Sequence, residues 1–219
     1  MTLALEQPIV QKKAPQQNTL SHPVSSDGDQ LTQHIVISGQ WEHFRLIQQG
    51  FEHSKARLSY YDGRIEIIMP GRFHELFKRM IGLLIEAYLL DRQINFFPTS
   101  AMTQKVEKVA SAEADESYEI GELKLSIELF SCYANEVRVT SGSLDKLMTY
   151  KALGVHEVWF WEDGVLEIYH LNNDEYEKCD SSQIPELSGL DIAVFNQCVL
   201  TGETDRVKAV TTLRLAHPV

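Results

Sequence analysis

The side chains whose types and spacing could support catalysis are a group of acids and one lysine in the middle of the chain. Asp115, Glu116, Glu128 and Glu136 lie in or beside consecutive extended segments, and Lys146 follows in a helical segment. Carboxylates from neighbouring strands can hold Mg²⁺ through oxygen ligands, and the ion then activates a bound water and stabilises charge on a phosphate. A nearby lysine can orient that water or neutralise the developing charge. The spacing alone, however, favours the plainer alternative that these are solvated surface charges.

Other familiar catalytic patterns do not occur in the sequence. It has no GxSxG motif for a serine nucleophile, and its 8 histidines include no HExxH motif for zinc. The 3 cysteines, Cys132, Cys179 and Cys198, are scattered and form no CxxC pair. A disulfide framework or a cysteine-based zinc site is therefore not expected, and Cys132, which follows an apolar segment, is typical of a small buried thiol. Reduced thiols favour a cytoplasmic location.

The composition is that of an ordinary globular protein, with 43% apolar and 23% charged residues among 219. The net charge is −11, from 31 acids and 20 bases. Proteins that bind nucleic-acid backbones tightly usually have more basic than acidic residues. The acidic charge of this chain therefore disfavours tight non-specific binding of nucleic acid. A local site is compatible with this charge, because a divalent metal can offset clustered carboxylates. No stretch approaches the roughly 20 apolar residues of a membrane span, and the N-terminus lacks the pattern of a signal peptide, so no membrane association is expected.

Two Asp-Gly pairs predict β-hairpins. The first, Asp62-Gly63, separates two extended apolar runs, and the second separates His156–Trp161 from Val165–Leu171. Leu123–Phe130 is a further predicted strand. Trp159 and Trp161 alternate along their strand, which favours packing over base stacking.

Apolar spacing predicts three helices. The longest covers residues 72–91, a shorter one runs from a Ser38 cap to Gly50, and a third follows Ser141 and ends at Gly154. The charged and small residues 107–114 predict a loop.

The order of these elements predicts an α/β (α+β) fold with one mixed sheet, β-hairpins and a helix on each side. No GxGxxG or GxxxxGK[ST] loop is present, which disfavours a doubly wound nucleotide-binding fold. Residues 1–30, rich in Gln, Pro, Ser and Asp, are predicted to be a flexible leader. Residues 31–200 are predicted to form a single domain, and 201–219 a C-terminal tail.

Several longer motifs occur in order along the chain. They are YYDGRIEIIMP at 60–70 followed by His74-Glu75, ADESYEIG at 114–121, EVRVTSGSLDK at 136–146, and GVHEVWFW at 154–161 after Tyr150. Together they resemble the putative restriction endonuclease family of the PD-(D/E)XK nuclease superfamily, a former domain of unknown function. The resemblance extends from about residue 35 to about residue 200, and it implies a restriction-endonuclease-like core.

The resemblance also implies roles for individual residues. The family's aspartate corresponds to Asp115, its strand glutamate to Glu136, and its lysine, placed on the following helix, to Lys146. The His-Glu pair at the start of the long helix corresponds to His74 and Glu75, and a helix acid at that place can complete a metal site in this kind of fold.

This sequence departs from the family pattern in three places. Ala114 stands where the family has proline before the aspartate, and Arg138 lies two residues after Glu136, where it cannot act as a general base but could bind phosphate. The apolar strand itself contains Glu128, which makes Glu128 the alternative acid. The distance to Lys146 favours Glu136, and strand character favours Glu128.

The resemblance therefore implies a Mg²⁺-dependent or Mn²⁺-dependent endonuclease that hydrolyses DNA phosphodiesters. Asp115 and Glu136 would hold the metal with help from Glu75, and Lys146 would orient the attacking water. DNA is the expected partner, bound weakly without metal. The sequence leaves the oligomeric state open, with a homodimer as one possibility, since nucleases that cut both strands often pair about a two-fold axis. The alternative is a catalytically silent relative that keeps the fold as a binding or interaction module.

Overall fold

A computed structural model describes residues 32–99, 103–132, 142–162 and 164–219, with the backbone alone described over 123–132 and 142–145. The strands are β1 Gln33–Ser38, β2 Arg57–Tyr61, β3 Arg64–Met69, β4 Phe96–Pro98, β5 Thr103–Val106, β6 Ala110–Glu113, β7 Glu116–Ile120, β8 Leu123–Cys132, β9 Glu157–Glu162, β10 Val165–Asn172 and β11 Glu175–Cys179. The helices are α1 Trp41–Gly50, α2 Arg72–Asp91, α3 Gly142–Leu153, α4 Ile192–Thr201 and α5 Arg206–Ala216, with a 3-10 turn at Pro185–Leu187.

The described strands form two sheets. One has five strands in the order β1-β3-β2-β6-β5, and the other has six in the order β11-β10-β9-β8-β7-β4. In the six-stranded sheet β8 and β9 run parallel and the other neighbours run antiparallel. The predicted α+β class, mixed sheet and hairpins are confirmed. The prediction of one sheet is corrected, because β1, β2, β3, β5 and β6 form one sheet, whereas β4 and all strands from β7 onward form the other.

The six-stranded sheet has helices on both faces, as predicted. Along β9, Trp159 and Trp161 belong to the core shared with α2, α4 and α5, whereas Val158 and Phe160 belong to the core shared with α3. Both tryptophans are almost fully buried, which confirms their packing role. A strand covered on both faces has an almost continuous apolar sequence, which is what this segment shows.

The C-terminal segment adds a packed helix to this core. Ala209 and Leu213 of α5 are buried in the same cluster as the apolar face of α2. None of the described helices combines the length and the apolar character that crossing a membrane requires.

The five-stranded sheet packs on α1 through a cluster of aromatic rings from Trp41, Phe44 and Tyr60. The β2–β3 hairpin turns at Asp62 and Gly63, which have φ of 44° and 78°. Two successive residues with positive φ match the twist of a tight hairpin, as the Asp-Gly pair predicted.

Two local predictions were wrong. Ser38 does not cap α1, because it ends β1, which pairs along its whole length with β3. The helix begins at Trp41, and the Gln40 backbone N–H donates to the His43 ring. The predicted loop at 107–114 contains β6, whose small side chains are buried between β2, β5 and α3. Tertiary packing overrides weak strand propensity there. The predicted extended piece at 136–140 lies outside the described residues.

Candidate active site

Asp115 lies between β6 and β7, where the chain passes from one sheet to the other. It is buried, with 4% of the residue exposed. His74 Nε2, from the first turn of α2, is 2.8 Å from Asp115 Oδ1, and Arg57 Nε, from the start of β2, is 4.0 Å from the same oxygen. Three separate elements therefore meet at this carboxylate.

The partners of Asp115 do not use their hydrogen-bonding groups fully. Both ring nitrogens of His74, and Nε of Arg57, are buried without a well-formed hydrogen bond to any described residue. The 2.8 Å approach of His74 Nε2 to Asp115 is thus an electrostatic contact at a short distance but with an angle that does not suit a hydrogen bond. Buried polar groups are almost always paired, so this cluster is an exception that asks for a functional explanation.

The two candidates for the second acid differ in what the structure describes of them. The backbone of Glu128, in β8, pairs with Ser117 of β7, two residues beyond Asp115, and with Val158 of β9. Glu128 therefore lies on the strand adjacent to the one that Asp115 precedes. Glu136 lies outside the described residues.

Lys146, on α3, is half-buried and lines a narrow groove between α3 and the β2–β3 hairpin. The other lining residues are Arg57, Leu58, Ser59, Ile68, Glu113, Thr149 and Tyr150. Because Arg57 lines this groove and also approaches Asp115, it connects the surroundings of Lys146 with those of Asp115. Ser59 and Thr149 continue into a wider cleft of about 210 Å³ beneath the hairpin turn, lined also by Tyr61 and Arg64.

Glu66 is a second buried carboxylate beside this groove, with 4% of the residue exposed. Arg64 donates to it from Nε at 3.0 Å and from Nη2 at 2.7 Å, and Ser59 donates at 3.3 Å. Burial raises the pKa of Glu66, but the interaction with His34, 3.8 Å away, the charge of Lys146 and the hydrogen bonding of Arg64 outweigh that effect and lower the pKa to about 2. Glu66 is therefore ionised at neutral pH, and its charge attracts Lys146.

Lys78 lies one helical turn after His74 on α2 and is 8% exposed. Its Nζ is 3.8 Å from Glu116 Oε1 and 3.5 Å from Glu75 Oε2. His74 and Lys78, on one face of α2, thus contact the successive carboxylates Asp115 and Glu116. Burial raises the pKa of Glu116, and the nearby positive charge of Lys78 opposes that shift.

Glu75 takes part in the Lys78 ion pair, and its side chain is 43% exposed. No three His, Cys, Asp or Glu side chains within the described part of the chain are grouped closely enough to hold a metal ion. A role for Glu75 as a metal ligand stays a prediction.

Sequence reasoning missed Arg57 and Lys78. Lys78 had a detectable signal, since it is a charged residue within the buried face of α2, four residues after His74. Arg57 had none, because only the tertiary fold brings the start of β2 to Asp115.

A family model described as Uma2, putative restriction endonuclease, matches residues 41–196. The chain belongs to this family. The resemblance inferred from the motifs is therefore confirmed, and the match includes Asp115, Lys146, both candidate acids and Arg57. Among curated proteins, none matches the chain.

The chain is also similar to a solved structure, a putative nuclease belonging to DUF820 from Anabaena variabilis ATCC 29413. The two share 13% sequence identity, with a TM-score of 0.48, over 68% of this chain and 90% of the other.

Proposed function

We propose that this protein is a divalent-metal-dependent endonuclease that hydrolyses phosphodiester bonds in DNA. Family membership supports the reaction class, and the contact network around Asp115 supports the location of the site. The observation that carries the proposal is the position of Arg57, which approaches Asp115 and lines the same groove as Lys146. Its position supports a single site that includes both Asp115 and Lys146, the two residues that the sequence analysis grouped together.

The residues at this site suit a hard divalent cation. Asp115 offers a fixed carboxylate, and His74, beside it, has a buried ring nitrogen without a hydrogen-bond partner among the described residues. Asp115 and an acid from the β8 side would hold Mg²⁺ or Mn²⁺, which would supply an activated water and neutralise charge on the phosphate.

Other side chains of the protein would bind the water or the phosphate and position the carboxylates. Lys146, which lines the groove and interacts electrostatically with Glu66, would donate a hydrogen bond to the attacking water or to a phosphate oxygen. His74 keeps the Asp115 carboxylate in place, and Lys78 does the same for Glu116. The walls formed by α3 and the hairpin reduce the access of bulk water, which strengthens these electrostatic interactions.

For the second acid, backbone pairing favours Glu128 over Glu136. Glu128 lies on the strand hydrogen-bonded to β7, directly across from Ser117. Comparing Glu128→Gln with Glu136→Gln assigns the role, because only the variant that lacks the second acid should lose cleavage.

Cleavage of supercoiled plasmid with Mg²⁺ or Mn²⁺ tests the function directly. Asp115→Asn and Lys146→Met should each abolish metal-dependent nicking. Lys151→Met is the matched control on the same helix, because Lys151 pairs with the exposed Asp174 and lies outside the groove. Unchanged cleavage in both Asp115→Asn and Lys146→Met would contradict the proposal.

A second candidate function is a catalytically silent binding module. Two observations favour it. The net charge is −11. The contacts of Asp115 with His74 and Arg57 are also those expected of a residue that only links α2 to β2. This candidate predicts no metal-dependent cleavage of any DNA and no Mn²⁺ binding that depends on Asp115.

A further inference from the structure

Arg57 is an unusual arginine. Its side chain is 20% exposed, and its Nε lies 4.0 Å from Asp115 Oδ1, beyond hydrogen-bond distance. Nε is buried and makes no hydrogen bond to any residue in the described part of the chain. A guanidinium carries five N–H donors, and burying donors without partners is costly.

Other arginines of the same chain show what a satisfied guanidinium looks like. Arg214 binds Asp91 through two hydrogen bonds, of 2.7 Å and 2.9 Å, one to each carboxylate oxygen. Arg64 donates twice to Glu66, at 3.0 Å and 2.7 Å. Arg57 is close to a buried carboxylate but forms no such fork. Its contact with Asp115 is electrostatic and leaves donor capacity for another acceptor.

The groove beside Arg57 has the composition of a site for an oxyanion. Lys146 supplies a second positive charge, and Ser59, Thr149 and Tyr150 supply hydroxyl groups. The carboxylate in the same lining, Glu113, accepts a hydrogen bond of 2.9 Å from Thr103 Oγ1. A planar guanidinium next to an ammonium matches the tetrahedral oxygens of a phosphodiester. The groove itself is small, with a volume of about 10 Å³, so a phosphate would meet Arg57 and Lys146 at its mouth, where the Arg57 side chain is 20% exposed.

We propose that Arg57 binds a non-bridging oxygen of the scissile phosphodiester at the mouth of the groove between β2 and α3, and stabilises the charge that develops there during hydrolysis. The inference rests on the proposed function for its reaction, but binding of a phosphodiester can be measured without cleavage. Arg57 transfers no proton and forms no covalent bond. It contributes fixed positive charge and directed donors, which act most strongly where water is limited.

The test compares Arg57→Gln and Arg57→Lys with Arg206→Gln, a matched loss of charge at an exposed position at the start of α5. Cleavage is followed with Mg²⁺. Binding of a short fluorescent oligonucleotide, single-stranded and duplex, is followed by anisotropy in Ca²⁺ over a range of salt concentrations. Arg57→Gln should lower kcat by about 100-fold and reduce the slope of log affinity against log salt by about 1. Arg57→Lys should recover the slope but only part of kcat, and Arg206→Gln should change neither.

Each outcome decides the inference separately from the proposed function. Wild-type cleavage with unchanged kcat and slope in Arg57→Gln would overturn the role of Arg57 and leave the function standing. If the wild type does not cleave, the proposed function fails, and a reduced salt slope in Arg57→Gln would still support phosphate binding, whereas an unchanged slope would overturn it. A lower melting temperature with unchanged kcat per folded molecule would mean a purely structural role. Arg57→Lys keeps the test decisive if Arg57→Gln does not fold.

Discussion

Two buried carboxylates in this molecule, Glu157 and Asp115, each lie close to a histidine ring but differ in their other partners. Glu157, on β9, is completely buried, and it accepts hydrogen bonds from Trp159 Nε1 at 2.8 Å, from Ser182 Oγ at 2.9 Å and from the backbone N–H of Gln183. These three donors are neutral, and the His170 ring Nδ1 also lies 3.4 Å from Glu157 Oε1 without forming a hydrogen bond. This carboxylate joins β9 to the segment that leads into α4.

Asp115 is almost as deeply buried, but its neighbours are an arginine at 4.0 Å and a histidine whose ring nitrogens remain without well-formed hydrogen bonds among the described residues. A carboxylate saturated by neutral donors has no reason to exchange partners, and it contributes to stability. A carboxylate whose neighbours are a guanidinium and an imidazole with unused nitrogen atoms can exchange them for a metal and a phosphate. We therefore propose that Glu157 is a structural acid and Asp115 a functional one, a difference that burial alone does not show.

The largest expected effect is on cleavage. Asp115→Asn should reduce metal-dependent hydrolysis by more than about 1,000-fold, about 4 kcal/mol in activation free energy, because the carboxylate charge is lost at the metal. Glu157→Gln, the same change of acid to amide, should keep the rate per folded molecule within about 3-fold. Initial rates of plasmid nicking measure both effects. Equal losses of cleavage rate in the two variants would contradict a functional difference between Asp115 and Glu157.

The same two variants should reverse their order in stability. Glu157→Gln should lower the free energy of unfolding by about 3 kcal/mol, because the amide N–H₂ faces donors that lose their acceptor. Asp115→Asn should cost no more than about 1 kcal/mol, since the amide has the same shape and keeps one oxygen for the contacts with His74 and Arg57. Urea denaturation followed by tryptophan fluorescence gives both values. A larger loss in Asp115→Asn would mean that Asp115 is the structural acid.

Glu66 combines features of both carboxylates. Like Asp115, it lies beside an arginine, in this case Arg64. Like Glu157, it accepts hydrogen bonds, here from Arg64 and Ser59. Its pKa in the folded protein is about 2, below the ordinary value of 4.5. Folding therefore favours the ionised form, and the stabilisation is complete above about pH 4.5 and lost as pH falls toward 2. Between pH 6 and pH 3 the wild type should lose about 2 kcal/mol more stability than Glu66→Gln. Urea titrations at the two pH values measure this, and parallel losses would contradict it.

The smallest effect should come from removing one donor at the saturated site. Ser182→Ala deletes one of the hydrogen bonds to Glu157 and the acceptor for the Ile184 backbone N–H. The free energy of unfolding should fall by about 1 kcal/mol, with cleavage unchanged. A loss as large as that in Glu157→Gln would show that Ser182, and not the shared carboxylate, holds this region together.

Local sequence signals predicted the elements but not the partners of the buried acids. The Asp62-Gly63 turn and the apolar period of residues 72–91 depend on neighbours in sequence, and both predictions were confirmed. The strand β6 was missed because its small residues become a strand only when packed between β2 and β5. Asp115 could be singled out from its motif, whereas Arg57 belongs to the site through a contact between distant segments. The division into two sheets also depends on contacts between segments that are distant in the sequence.

Titration of metal-free protein with Mn²⁺ by calorimetry tests most directly whether Asp115 is a functional carboxylate. The wild type and Glu157→Gln should each show one-site binding, and Asp115→Asn should show none. Binding that persists in Asp115→Asn, or is absent from the wild type, would contradict the assignment of Asp115 as the centre of the site.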